Sequence, residues 1–232
     1  MDLFSQVIGI TEVVLLLVLL FLLIRGPFRR YFLIFAYSLA QALQTIVDGV
    51  VLRQFGQSSI EYKTVFWTDA IIVDLLLILV VIALTNQAME GNPLRKNMTR
   101  VLIVLSVVIA VLPFVVLRRP LFLTRWFNGT DQILNFGAAI MNLVLWTALL
   151  GSKKRDAQLL TVTAGLGARV AATALLLGLR HFTEGGGLAR EIADTAARLT
   201  IVAGTLIWCW AFRPSTRRRP PSPGTVQTPA PT

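Results

Sequence analysis

The sequence predicts an all-α integral membrane protein: a seven-transmembrane-helix bundle with its N-terminus outside and its C-terminus in the cytoplasm. Three observations lead there. Hydrophobic residues make up 55% of the 232-residue chain and charged residues only 15%, where soluble domains carry roughly a quarter. Seven apolar stretches, each near the roughly 20 residues that cross a hydrocarbon core of about 30 Å, are separated by short charged or turn-forming connectors. Lys and Arg concentrate in every second connector, the asymmetry that sets orientation in a membrane.

The spans are expected at about 3–24, 31–52, 62–86, 101–117, 131–150, 157–179 and 188–212. The first is preceded by Asp2 and by no Lys or Arg, the wrong charge for a secretion signal, and reads as a retained helix. It ends at the Arg25, Arg29, Arg30 run. The second opens on aromatic residues (Tyr31, Phe32, Phe35, Tyr37) and closes on polar ones (Gln41, Gln44, Asp48). The third carries Asp69 and Asp74 ahead of the run LLLILVVIAL, and an acid inside a bilayer is costly unless it is paired or functional.

After Asn86, the turn residues Gly91, Asn92 and Pro93 lead into Arg95, Lys96 and Arg100. The fourth span is almost purely aliphatic and suits contact with lipid around much of its circumference. Arg118, Arg119 and Arg125, mixed with Phe122, Trp126 and Phe127, read as an interfacial belt with a short amphipathic piece. Asn135 and Asn142 interrupt the fifth span. The sixth is rich in small residues (Gly165, Gly167, Ala168, Ala171, Ala172), which let membrane helices approach closely, and holds Arg169 at its middle. Glu191, Asp194 and Arg198 occupy the first half of the seventh, which ends on Trp208, Trp210 and Phe212. The tail at 213–232 is basic and rich in Pro, Ser and Thr, the composition of a disordered cytoplasmic segment.

Connectors after spans one, three and five, with the tail, hold thirteen Lys and Arg; the opposite side holds seven. That bias places the tail in the cytoplasm and the protein in a cytoplasmic (inner) or plasma membrane.

With that orientation, depth from the outer end follows at about 1.5 Å per residue. Asp48, Asn135 and Asp194 then lie about 6–8 Å in. Glu12, Asp69 and Arg198 lie about 10–14 Å in, and Asp74, Asn142 and Arg169 about 16–18 Å. Six of the seven helices contribute, so these nine residues predict a polar pocket opening outward. Asp69 and Asp74, five residues apart, do not share a narrow helix face. Asp74 is expected to pair with Arg169, and Asp194 with Arg198 at i and i+4. Embedded acids outnumber embedded cations, which calls for protonation, water or a cationic ligand.

Several functions are excluded. No separate basic, polar domain exists to bind nucleic acid. Cys209 is the only cysteine, so no internal disulfide or Cys-based zinc site forms. A retinal protein like the microbial rhodopsins needs a lysine within its last helix, and Lys63, Lys96, Lys153 and Lys154 all lie at or beyond helix ends. His181, the only histidine, falls in a connector, which excludes bis-histidine haem and the His-rich sites of progestin-receptor-like and ceramidase families. No hydrolase, zincin or Walker motif is present. The protein is not expected to be an enzyme, and no cofactor or metal is expected.

The favoured expectation is a receptor-like or partner-binding protein without an output domain. Its partners are membrane lipids, a small extracytoplasmic ligand, and a membrane or cytoplasmic protein. Two other functions fit the same pattern. One is transport of a small solute or ion, with Asp69 or Asp74 as the coupling acid. The span count there resembles the three-plus-one-plus-three arrangement of sugar-exporting seven-helix transporters, although their Pro-Gln pairs are missing. The other is a structural accessory subunit of a membrane complex, in which the polar pairs serve only assembly.

Overall fold

A computed structural model describes residues 3–56, 59–117, 124–151, 156–182 and 188–213. They form seven helices and, among the described residues, no strand. These are α1 (Leu3–Arg25), α2 (Phe32–Phe55), α3 (Ile60–Ala88), α4 (Arg95–Val116), α5 (Thr124–Leu150), α6 (Ala157–Phe182) and α7 (Leu188–Ala211). Residues 183–187 and the 214–232 segment expected to be a disordered tail fall outside the described residues.

Six helices, α1 to α6, are long and apolar enough to cross a membrane, the architecture of a multi-pass membrane protein. In α7 the apolar stretch among the described residues is the shorter Thr195–Ala211.

Local chemistry sets the helix ends. Gly26 and Pro27 follow Arg25, and proline cannot continue the helix. Gly56, at φ 76°, closes α2 in a conformation that only glycine adopts without strain. The Ser59 hydroxyl accepts a hydrogen bond from the Tyr62 N–H (3.1 Å) and so caps α3.

Two helix starts differ most from the sequence expectation. α4 starts at Arg95 rather than 101, and α5 at Thr124 rather than 131. The hydrophobicity boundary marked where the apolar run begins, whereas the backbone ladder extends into the polar flank. Of the expected interfacial piece, Arg118, Arg119 and Phe122 lie outside the described residues, and Arg125, Trp126 and Phe127 belong to the start of α5. Trp126 and Phe127 are buried there, Trp126 edge-on to Phe114 (5.4 Å between centroids) and Phe127 stacked on Trp67 (6.1 Å, 10° between planes).

The helices close a ring in the order α1, α2, α3, α5, α6, α7, with α7 returning to α1. α4 stands outside it, packed on α3 and α5. Its hydropathy of 2.6 and its exposed valines (Val104, Val107, Val108, Val111, Val115) leave a face suited to lipid.

The dry core fills one end of the ring. Leu19 and Leu23 from α1, Ile34 from α2, Val80, Val81 and Leu84 from α3, Leu145 from α5, Val162 from α6 and Trp208 from α7 are buried there. Trp208 donates its indole N–H to the Val162 carbonyl (2.9 Å). α6 and α7 approach through glycines: a Cβ on Gly204 would sit 3.2 Å from the Gly165 carbonyl oxygen.

Outside the same end, the Arg30 guanidinium meets the Asp156 carboxylate at 2.7 Å, and the Gln87 amide donates to the Arg30 carbonyl at 2.7 Å. Asp156 also caps α6 through the N–H groups of Gln158 (3.0 Å) and Leu159 (3.3 Å). Burial raises its carboxyl pKa, but the Arg30 guanidinium and the two N–H groups outweigh that and hold it below the ordinary carboxylate value. Its stabilising contribution is therefore present above the ordinary carboxylate pKa and fades as pH falls through the lowered folded value. Asp156→Ala is expected to cost about 1–2 kcal/mol, most of it the lost cap. Asp156→Asn, which can still cap, is expected to cost less than about 1 kcal/mol, because the ion pair is exposed. Chemical denaturation of the two variants checks the difference.

Candidate functional site

The other end of the ring, where α1 begins, is open. A cavity of about 1200 Å³ enters there, lined by α1, α2, α3, α5, α6 and α7; α4 contributes no lining residue among those described. Each helix supplies the segment nearest that end: Ile8–Val14 from α1, Tyr37–Arg53 from α2, Tyr62–Leu77 from α3, Asp131 and Asn135 from α5, Arg169–Thr173 from α6, and Arg198 and Ile201 from α7.

Six of the nine residues singled out in the sequence line this cavity: Glu12, Asp48, Asp74, Asn135, Arg169 and Arg198. Asp69 is only partly buried and lies outside the lining. Asn142 is buried deeper, against α6. A Cβ on Gly167 would come within 3.2 Å of its side-chain nitrogen and 2.7 Å of the Trp146 indole nitrogen. The Asn142 side-chain oxygen meets no donor among the described residues. The side chain of Asp194, and with it the expected Asp194–Arg198 pair, lies outside the described residues.

The expected ion pair between Asp74 and Arg169 does not form. Arg169, 7% exposed, instead donates from Nη1 to Gln41 Oε1 (2.9 Å), with its guanidinium carbon 5.2 Å from the centre of the Tyr37 ring. Gln41 in turn donates from Nε2 to Glu12 Oε1 (3.3 Å). Asp74, 8% exposed, accepts from Asn135 Nδ2 (3.1 Å). The same nitrogen lies 3.3 Å from Asp131 Oδ1 and 3.0 Å from the Asp131 carbonyl. Depth matched Asp74 to Arg169, but rotation about the helix axes did not: Asp74 meets Asn135 on the adjacent α5, whereas Arg169 reaches across the ring to Gln41 on α2.

This geometry predicts that Asp74 and Arg169 interact only through space, without a shared hydrogen bond. Asp74→Asn keeps an acceptor for Asn135 and adds a donor toward Asp131. A double-mutant cycle with Arg169→Gln is expected to give a coupling below about 1 kcal/mol, as for charges that attract without contact. A coupling above about 1 kcal/mol is the result for a pair in contact.

Three side chains of this polar cluster escaped the sequence reading. Gln41 and Tyr37 hold Arg169, and Asp131 joins Asp74 through the Asn135 amide. A signal for Gln41 existed, since Gln41, Gln44, Thr45 and Asp48 fall at i, i+3, i+4 and i+7 and make one polar stripe on α2. Asp131 was hidden because the fifth span was taken to begin there, which makes an embedded acid look like a helix-end residue.

No ion pair to Arg169 occurs among the described residues, so a buried guanidinium faces the cavity with one neutral side-chain partner for its five N–H donors. Such a group is costly unless another acceptor reaches it. The described residues hold no group of three or more His, Cys, Asp or Glu able to bind a metal ion. In comparisons with known proteins, no family model matches the chain, and no curated protein or solved structure is similar to it.

Proposed function

We propose that the protein is a receptor-like seven-helix membrane protein of a cytoplasmic or plasma membrane that binds a small extracytoplasmic ligand in this cavity. In this reading α7 is the seventh crossing, completing the ring, and the N-terminus and the cavity mouth face outward. The Lys and Arg distribution of the connectors supports that orientation.

One observation carries the ligand-binding reading: the cavity of about 1200 Å³ gathers Glu12, Asp48, Asp74, Asp131, Arg169 and Arg198 from six helices, with Arg169 buried at its deep end. Concave sites with a few convergent polar groups are the usual places for small ligands. Residues serving only helix register need no such space around them.

Transport is the second reading. The Asp74 and Asp131 carboxyls, bridged by one amide deep between helices, resemble the buried acids that couple ions to solutes. The largely apolar layer around Leu84, Leu145 and Trp208 beyond the cavity favours the receptor reading, because no charged side chain among the described residues is buried in it.

The test pairs thermal unfolding of the purified protein across a panel of small polar metabolites with a flux assay in vesicles. The receptor reading expects stabilisation by at least one compound, about 2.7 kcal/mol at a hundredfold excess over Kd, without flux. Flux of that compound, lost in Asp74→Asn, would replace it with transport.

A further inference from the structure

Ligand chemistry can be read from two groups that the chain leaves partly unmatched on one side of the cavity. At the deep end, Arg169 offers N–H donors to the cavity and has only Gln41 as a side-chain hydrogen-bond partner among the described residues. A guanidinium in that setting favours a carboxylate, which it can hold through two parallel hydrogen bonds. Further toward the mouth, Asp48 also lines the cavity, and its Oδ1 is buried with no donor among the described residues. Two other acids of the lining are engaged: Glu12 accepts from Gln41 and Asp74 from Asn135. A buried carboxylate oxygen without a donor calls for a cation or a polar hydrogen.

The spacing between the two groups follows from the helix that carries both ends of the arrangement. Gln41, in contact with Arg169, and Asp48 are seven residues apart on the same face of α2, about 10 Å along its axis. The lining disfavours a polyanion, because its four acids, Glu12, Asp48, Asp74 and Asp131, outnumber its three cations, Arg53, Arg169 and Arg198, of which only Arg169 is buried.

We propose that the ligand is an extended amino-carboxylate, with its carboxylate on Arg169 and its ammonium on Asp48. Resting on the ligand-binding reading above, this adds the ligand's charges, their order and their separation. ω-Amino acids and short peptides have this form. The carboxylate sits deepest, where Tyr37 and Gln41 exclude bulk water, and the ammonium sits nearer the mouth. Gln44 and Thr45, which line the cavity between the two charged groups, are placed to contact the middle of the chain.

Binding to the purified full-length protein, measured by calorimetry, tests this with 6-aminohexanoate and triglycine as probes. Hexanoate, hexylamine, glycine and inorganic phosphate are the comparisons. The proposal expects at least one of the two extended probes to bind at least tenfold more tightly than every comparison compound. Arg169→Gln should weaken that probe tenfold or more, and Asp48→Asn should do the same. Because Arg169→Gln changes a buried group, Arg169→Lys serves as a second variant that keeps the charge, and it should bind better than Arg169→Gln. Tightest binding by hexylamine, glycine or phosphate, or extended-probe binding unchanged in both Arg169→Gln and Asp48→Asn, would overturn the proposal. So would the absence of binding by both extended probes.

Failure of the ligand class and failure of the cavity are separable with Thr173→Cys in a Cys209→Ser background. If that cysteine reacts with a charged thiol reagent while neither extended probe binds, the amino-carboxylate is wrong and the cavity stands. If it does not react, the ligand-binding reading itself fails.

Discussion

Gly165→Leu is expected to destabilise the bundle by about 3 kcal/mol, the upper part of the usual range for overpacking a well-filled core. Even the first added atom has no room, since a Cβ on Gly165 would lie 2.8 Å from Trp208 Cδ1, 2.9 Å from its Nε1 and 3.1 Å from Ile207 Cγ2. Trp208 cannot withdraw without giving up its hydrogen bond to the Val162 carbonyl and its edge-on contact with Tyr37 (5.9 Å). Gly49→Ala is the matched control, because a Cβ there meets nothing within 4 Å. It should stabilise α2 by about 0.5–1 kcal/mol through helix propensity. Thermal unfolding of the two variants should therefore move in opposite directions. A Gly165→Leu protein as stable as the parent would mean that α6 and α7 do not approach as closely as described.

Gln41→Leu is expected to cost about 3 kcal/mol, although it places an apolar side chain in a membrane helix. The change removes the neutral link between Glu12 and Arg169 and leaves the guanidinium, 7% exposed, with no side-chain hydrogen bond. Removing one partner of a buried, hydrogen-bonded charge is far more costly than replacing the whole group by apolar residues. Gln41→Leu combined with Arg169→Met should therefore recover at least half of the lost stability. Chemical denaturation of the two single variants and the double variant measures this recovery. If the double variant is instead as unstable as the two single effects added together, Gln41 and Arg169 are not coupled as their 2.9 Å hydrogen bond requires.

The helical elements were legible because the membrane imposes a coarse rule: about 20 apolar residues per crossing, interrupted by charge. That rule located all seven helices, and the aliphatic character of 101–117 pointed to the outward face of α4. The α7 segment stands apart, since length and apolarity select six helices and the apolar stretch described in α7, Thr195–Ala211, is shorter. Helix starts were less legible. Arg95 and Thr124 lie in polar or aromatic flanks where hydropathy falls but backbone hydrogen bonding continues.

Depth was readable at about 1.5 Å per residue, and it gathered Glu12, Asp48, Asp74, Asn135, Arg169 and Arg198 at one end. Rotation was not. Whether Asp74 meets Arg169 or Asn135 depends on ring order and on a few tens of degrees about each axis. The sequence carries that information only in cooperative packing such as the Gly165–Trp208 contact. Asn142 shows the same limit: its depth suited the site, but its side chain turns toward Gly167 and Trp146.

The decisive measurement is the sidedness of the cavity, read by single cysteines in a Cys209→Ser background in intact cells. Thr45 lines the cavity and Leu84 is 1% exposed in the dry core. A membrane-impermeant thiol reagent added outside should modify Thr45→Cys rapidly and leave Leu84→Cys unmodified from either side. Thr45→Cys that is inert from outside but reactive in inverted vesicles would contradict an outward-facing pocket.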